Sequence, residues 1–232
     1  MNRAIYKDWT IFELLWLSVF TLINLYLFFM QDDSLIGLIS SITGMICVIL
    51  GTKGKISNYF FGIIKIISYT YIAYTYMLYS EVLLNVLFYL PLQFIGLYMW
   101  NKHKLNDDVI SSDVKIKVLN KVQWLQLICI SLVSIILYNA ILWYFDANTT
   151  GIDSLTVIFS IVAQILMVKR YAEQWFFWSL VNISAIILWV IALQQSGGNN
   201  YNLIVMWSAF LITSSYGYIN WLQMYRKQNQ VA

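Results

Sequence analysis

The sequence predicts an all-α integral membrane protein with eight transmembrane helices. They are arranged as one extra N-terminal helix followed by two parallel three-helix repeats joined by a single linker helix. Three observations carry this. The 232 residues are 60% hydrophobic and only 11% charged, too apolar for an ordinary soluble domain. The basic residues fall in alternate loops. The second half of the chain also repeats landmarks of the first in the same order. A single proline and no Pro- or Ser-rich linker make residues 1–232 one transmembrane domain.

The apolar runs place spans at 11–30, 34–50, 58–79, 82–100, 122–145, 153–168, 174–193 and 201–224. Arg3 and Lys7 precede the first run. That run is long enough to span and has no small-residue cleavage site, so it reads as a helix and not as a cleaved signal. The second and sixth spans are short and cross with little tilt.

Basic residues sit at the N-terminus, in GTKGK at 51–55, in the loop 101–121, at Lys169–Arg170 and in the tail at Arg226–Lys227. The loops around Asp32–Asp33, Ser80–Glu81, Asp146–Asp153 and Gln194–Asn200 carry none. Thirteen of the fourteen basic residues therefore lie on one side, and the positive-inside rule puts both termini in the cytoplasm. The fourteenth, Lys65, lies inside the third span. Its long stem favours snorkelling to the cytoplasmic surface; the alternative is that it faces a pathway with Asn58 and Tyr69. GTKGK has neither the spacing nor the preceding strand of a phosphate-binding loop.

Cys47 and Cys129 lie in apolar spans and read as small core residues rather than a disulfide or metal pair. His103, the one histidine, sits in a Lys-rich loop and reads as solvated. Paired acids, a nucleophile–base set and metal ligands are missing from the spans, so neither an enzyme nor a metal or cofactor protein is expected.

The repeat has a period of about 120 residues. Asp33-Ser34-Leu35 returns as Asp153-Ser154-Leu155, and Ser40 matches Ser160. Tyr59-Phe60-Phe61 returns as Trp175-Phe176-Phe177, and Ser68 matches Ser184. Gly96 and Trp100 return as Gly217 and Trp221. The first repeat is then 34–100, the linker helix 122–145 and the second repeat 153–224, with the extra helix at 11–30 outside both. Three helices end on the side opposite to where they start, so one linker helix makes the repeats parallel. That is the 3+1+3 plan of SWEET-type carriers, with substrate at the repeat interface.

Polar side chains line single helix faces. Asp153, Thr156, Ser160 and Gln164 share one, and Trp175, Trp178 and Asn182 share another. Asn85, Tyr89, Gln93, Gly96 and Trp100 form a stripe on the fourth span, which Pro91 is expected to kink. Thr213, Tyr216 and Asn220 align on the eighth, and Gln123 and Gln126 lie near the cytoplasmic end of the fifth. Deep in the spans there is no Asp, Glu, Arg or His, against a proton relay and against a phosphorylated substrate. Amides, hydroxyls and indoles suit a flat, uncharged or singly positive ring with hydroxyls. Asp153 reads either as an attractor for a cation or as an exposed helix cap.

Spans six and seven resemble the PnuC family of bacterial vitamin transporters. The likeness is Asp153-x-x-Thr156-x-x-x-Ser160-x-x-x-Gln164-x-x-Met167-x-x-Arg170, then Glu173-x-Trp175-x-x-Trp178-x-x-x-Asn182. The fourth span adds Gln93-x-x-Gly96-x-Tyr98-x-Trp100. The resemblance covers about Asp33 to Arg226 and omits the first helix. It implies a SWEET-like fold, a homotrimer in the cell inner membrane and facilitated diffusion of nicotinamide riboside, trapped inside by cytoplasmic phosphorylation. It also implies that Trp175, Trp178, Asn182 and Gln164 surround the nicotinamide ring. Thr156, Ser160, Gln93, Trp100, Tyr216 and Asn220 are expected to serve hydroxyl contacts and gating. Relatives carry thiamine or riboflavin, and the lining alone does not separate these substrates or exclude a sugar.

Overall fold

The structure, a computed structural model, describes residues 9–30, 34–75, 77, 79–105, 112–144, 151–196 and 201–230. These form helices α1 (Ile11–Met30), α2 (Leu35–Thr52), α3 (Asn58–Thr75), α4 (Tyr79–Leu84), α5 (Leu90–Lys102), α6 (Lys121–Tyr144), α7 (Gly151–Val168), α8 (Gln174–Ser196) and α9 (Tyr201–Gln230). A π-helical turn, Asn85–Tyr89, joins α4 to α5. Among the described residues, Ile11–Met30, Leu35–Thr52, Val82–Lys102 and Lys121–Tyr144 are long and apolar enough to cross a membrane. Many of their large apolar side chains face outward, as a lipid-facing surface requires.

Several boundaries differ from expectation. The third span stops at Thr75, because Met77 takes a left-handed turn at φ 58° and a new helix starts at Tyr79. Ser80 and Glu81 are therefore helical rather than a loop. The fourth span is not one regular helix. Pro91 has no N–H and its ring crowds the carbonyl four residues back. The chain widens just before it, and Leu90 N–H bonds to the carbonyl of Asn85, five residues away. The last helix runs on to Gln230, where Gln228 Oε1 accepts a 2.9 Å bond from Ile116 N–H. The loops at Asp32–Asp33 and 145–150 lie outside the described residues, as does the side chain of Asp153.

The chain divides into two compact units, residues 1–114 and 115–232. In the first, α1 packs on α2, α2 on α3 and α3 on α5. Ser34 caps α2 by accepting from Gly37 N–H at 2.9 Å. Thr10 and Glu13 form a reciprocal capping box at the start of α1. Glu13 also receives Lys53 Nζ at 2.8 Å, both side chains buried, and the ammonium lies 4.8 Å from the centre of the Trp9 ring. The extra helix is thus pinned at its first turn to the end of α2. Asp113 ties the following loop to the α2–α3 turn. Its carboxylate accepts from Ile56 N–H at 2.9 Å, and its own N–H bonds to Gly54 O at 3.1 Å.

In the second unit, α6 packs on α7, α7 on α8 and α8 on α9. Ile158, Val162, Ala163 and Leu166 of α7 form its core with Phe177 of α8. Trp124 of α6 stacks on Phe177. Gln123, expected to contribute to a polar stripe, instead exchanges capping bonds with Asn120 at the start of α6, and Gln126 is exposed. Cys129 is exposed as well and is not a core residue, whereas Cys47 is half-buried beside Gly62; both are free thiols. His103 is exposed, as expected.

The two units share local geometry at one constant offset. In the turn after α2, Lys53, Gly54 and Lys55 donate to Ile49, Gly51 and Leu50. In the turn after α7, Lys169, Arg170 and Tyr171 donate to Ile165, Met167 and Leu166. Both turns close on a left-handed residue, Gly54 at φ 64° and Arg170 at φ 65°. Glycine adopts that conformation freely, while a side chain there costs about 1 kcal/mol.

Candidate substrate-binding site

Helical periodicity predicts which face of each span turns inward, and burial follows it. On the fourth span Asn85, Gln93, Gly96 and Trp100 are buried while Phe94, Ile95 and Tyr98 are exposed. On α7 Ser160 and Gln164 are buried, with Thr156 half-buried. On α8 Trp175 and Asn182 are buried and Trp178 half-buried. On α9 Thr213 is buried, and Tyr216 and Asn220 are half-buried.

In the second unit three of the fully buried residues offer amide or indole groups. Asn182 Nδ2 donates to Ser214 Oγ of α9 at 3.2 Å. Trp175 lies against Gly217 and meets Trp221 edge-on, with ring centres 6.3 Å apart. Its Nε1–H is buried without an acceptor among the described residues, and so is Nε2 of Gln164. An unmet buried donor costs about 1–3 kcal/mol, so a ligand acceptor placed there is rewarded by that amount. Thr156 and Ser160 behave differently. Their hydroxyls donate to the carbonyls of Ile152 and Thr156 in their own helix, which leaves them as acceptors for a ligand. Trp178 packs against the α7–α8 core cluster.

In the first unit Gln93 lies over Gly62 of α3, beside the Cys47 thiol of α2, and its Oε1 has no donor among the described residues. Trp100 is fully buried and packs edge-on against Tyr59 at 5.0 Å, so in this unit it acts as core. Lys65 meets Tyr69, the neighbour named in the alternative reading. Its stem touches Gly44 and its ammonium lies 4.9 Å from the ring centre of Tyr69, one turn further along α3. The electron-rich phenol face holds the cation there.

Sequence reasoning missed Ser214 and Ser179. The signal was present: Ser214, Gly217 and Trp221 share a face of α9, and Ser179 shares one with Trp175 and Asn182. It also missed why glycine stands at 96 and 217. A Cβ at Gly96 would enter the Tyr59 ring, and one at Gly217 would sit 2.6 Å from Trp175 Cδ2. Gly217→Ala is therefore expected to displace the indole. It should destabilise the protein by about 1–3 kcal/mol, as overpacking does. A thermal melt checks this, and in a Trp175→Ala background, itself destabilised, the same Gly217→Ala change should cost little.

Outside the spans, Glu173 fixes the turn before α8. Its Oε1 accepts from Leu119 N–H at 2.8 Å. Burial pushes its carboxyl above the usual range, and the Leu119 bond opposes that shift.

Residues 34–223 match the family model described as nicotinamide mononucleotide transporter. The chain is 40% identical over 229 residues to the nicotinamide riboside transporter PnuC of Neisseria mucosa, covering 98% of this chain and 87% of that protein. It is 38% identical to the Haemophilus influenzae protein of the same name, covering 99% and 97%. The Escherichia coli protein of that name is 27% identical over 185 residues. A crystal structure of the vitamin B3 transporter PnuC superposes with a TM-score of 0.80 at 39% identity, over 98% of this chain and 99% of that one. These relatives are transporters, not enzymes. An all-helical chain with several apolar helices, matched over nearly its whole length, belongs to the PnuC family of multi-pass membrane transporters.

Proposed function

We propose that this chain carries nicotinamide riboside across the membrane by facilitated diffusion, with phosphorylation inside the cell trapping the product. The observation that carries the reading is the buried set on α7 and α8: the Trp175 indole, the Gln164 amide and the Asn182 amide. A carboxamide pairs with amides, a cationic pyridinium stacks on indole, and ribose hydroxyls donate to Thr156 and Ser160. The name shared by the relatives points to the same substrate. The family description names the mononucleotide instead, but a phosphate wants an Arg or Lys among these groups, and α7 and α8 supply none beside them. The lack of deep carboxylates in the sequence favours uncoupled transport over a proton or sodium couple.

The same reading has eight spans, parallel repeats, cytoplasmic termini and a homotrimer. The matched turns and the paired aromatic-on-glycine contacts, Tyr59 on Gly96 and Trp175 on Gly217, support the parallel repeat. Calorimetric titration of the purified protein in detergent tests the substrate. Nicotinamide riboside is expected to bind, and nicotinamide mononucleotide, thiamine, riboflavin and glucose are not. Saturable binding of thiamine or riboflavin in its place would move the substrate to another vitamin, and binding of none by folded protein would sink the carrier reading.

A further inference from the structure

We propose that Ser214 is a positioning residue that sets which end of the Asn182 carboxamide meets the substrate, and thereby makes the site select a carboxamide over a carboxylate. The inference rests on the nicotinamide riboside reading above and extends it to a residue on a different helix.

Four contacts fix the geometry. Asn182 Nδ2 lies 3.2 Å from Ser214 Oγ. Ser214 Oγ lies 3.0 Å from the Leu211 carbonyl. Ser179 Oγ lies 2.9 Å from Ser214 Oγ and 2.9 Å from the Trp175 carbonyl. Asn182 and Ser214 are both buried, so water does not make up lost bonds.

Each serine has one proton. With Asn182 Nδ2 toward Ser214, the Ser214 proton goes to Leu211 and the Ser179 proton to Ser214 or to Trp175. Three hydrogen bonds form. Turn the amide over, and Ser214 must give its proton to Asn182 Oδ1, so the bond to Leu211 is lost and only two remain. The network thus favours Nδ2 on Ser214 and leaves Oδ1 as the group offered to a ligand. An acceptor there pairs with the N–H of a carboxamide and repels a carboxylate. Nicotinamide and nicotinic acid differ in that group alone, so the serine behind the asparagine reads the difference.

The test compares nicotinamide riboside with nicotinic acid riboside, by calorimetry on the full-length protein in detergent. Wild type is expected to prefer the carboxamide ligand by roughly 100-fold, in line with leaving one buried acceptor facing a carboxylate instead of an N–H. In Ser214→Ala the amide is free to turn and offer Nδ2 to a carboxylate. Affinity for nicotinamide riboside should fall about fivefold, in line with one lost hydrogen bond, and the preference should drop about tenfold or more. A purely structural loss would weaken both ligands together and leave their ratio alone. If the alanine variant does not fold, Ser214→Cys keeps the shape with a weak acceptor and should lower the ratio at least about threefold. A wild-type ratio in either folded variant overturns the proposal while leaving the substrate reading intact. Failure of wild type to bind nicotinamide riboside overturns the substrate reading, and this inference with it.

Discussion

Asn182→Leu is expected to abolish measurable binding of nicotinamide riboside, a loss of roughly 100-fold or more, while the protein still folds. Leucine matches asparagine in size but has no polar atom. It removes the acceptor that the carboxamide ligand needs in a place closed to water. A ligand amide facing leucine would lose its hydrogen bonds to water and gain none, which is why the effect exceeds that of trimming an apolar contact. The fold should tolerate the change. Ser214 loses the Nδ2 donor but keeps its bonds to Leu211 and Ser179, so stability should fall by about 1 kcal/mol or less. Calorimetry reads the first effect, and a melting curve with size-exclusion elution reads the second. Wild-type affinity in a folded variant would remove Asn182 from the site.

Much of this organisation was legible in the sequence, and the parts that were not share a physical cause. Inward faces follow from periodicity, since a stripe such as Asn85–Gln93–Gly96–Trp100 has one direction in which polar groups escape lipid. The matches Tyr59 with Trp175 and Gly96 with Gly217 were readable as a repeat. Their reason, a ring seated on a missing side chain, lies in a contact between helices. Pro91 announced a perturbed helix, but whether a chain kinks or widens by one residue depends on how neighbours satisfy the freed carbonyl. For Lys65 the sequence left open whether the ammonium reaches the surface or meets Tyr69. The phenol ring, one turn away, is the partner it meets. Arg170 in a left-handed position could not be foreseen either, since that backbone state is normally read from glycine or asparagine. Ser214 was hidden because serine is common in spans, and its meaning comes from Asn182 on another helix.

The first helix shows the same limit and yields a second large effect. Thr10-x-x-Glu13 is a readable capping box, yet the glutamate's second partner, Lys53, lies 40 residues away. Lys53→Met should destabilise the protein by about 3 kcal/mol, because it takes the ammonium away from a buried carboxylate 2.8 Å from it. The Trp9 ring, which faces the ammonium in wild type, offers the carboxylate nothing favourable in its place. Glu13→Gln should also destabilise, by taking away the carboxylate 2.8 Å from the ammonium, softened by that same ring, which still attracts a cation. The double variant Glu13→Gln/Lys53→Met removes both charges of the pair together. It should therefore be much more stable than the sum of the single losses requires, with a coupling of about 2 kcal/mol or more in a thermal-melt double-mutant cycle. Additive losses would mean that the pair is wetter than its burial indicates and that the first helix is held by its apolar contacts with α2 alone. Because the pair joins α1 to the turn closed by Gly54, a strong coupling also predicts where damage appears first. Limited proteolysis of the Lys53→Met variant should cut at the α2–α3 turn before it cuts at the turn preceding α8, whose anchors, Glu173 and the Lys117 backbone, are untouched.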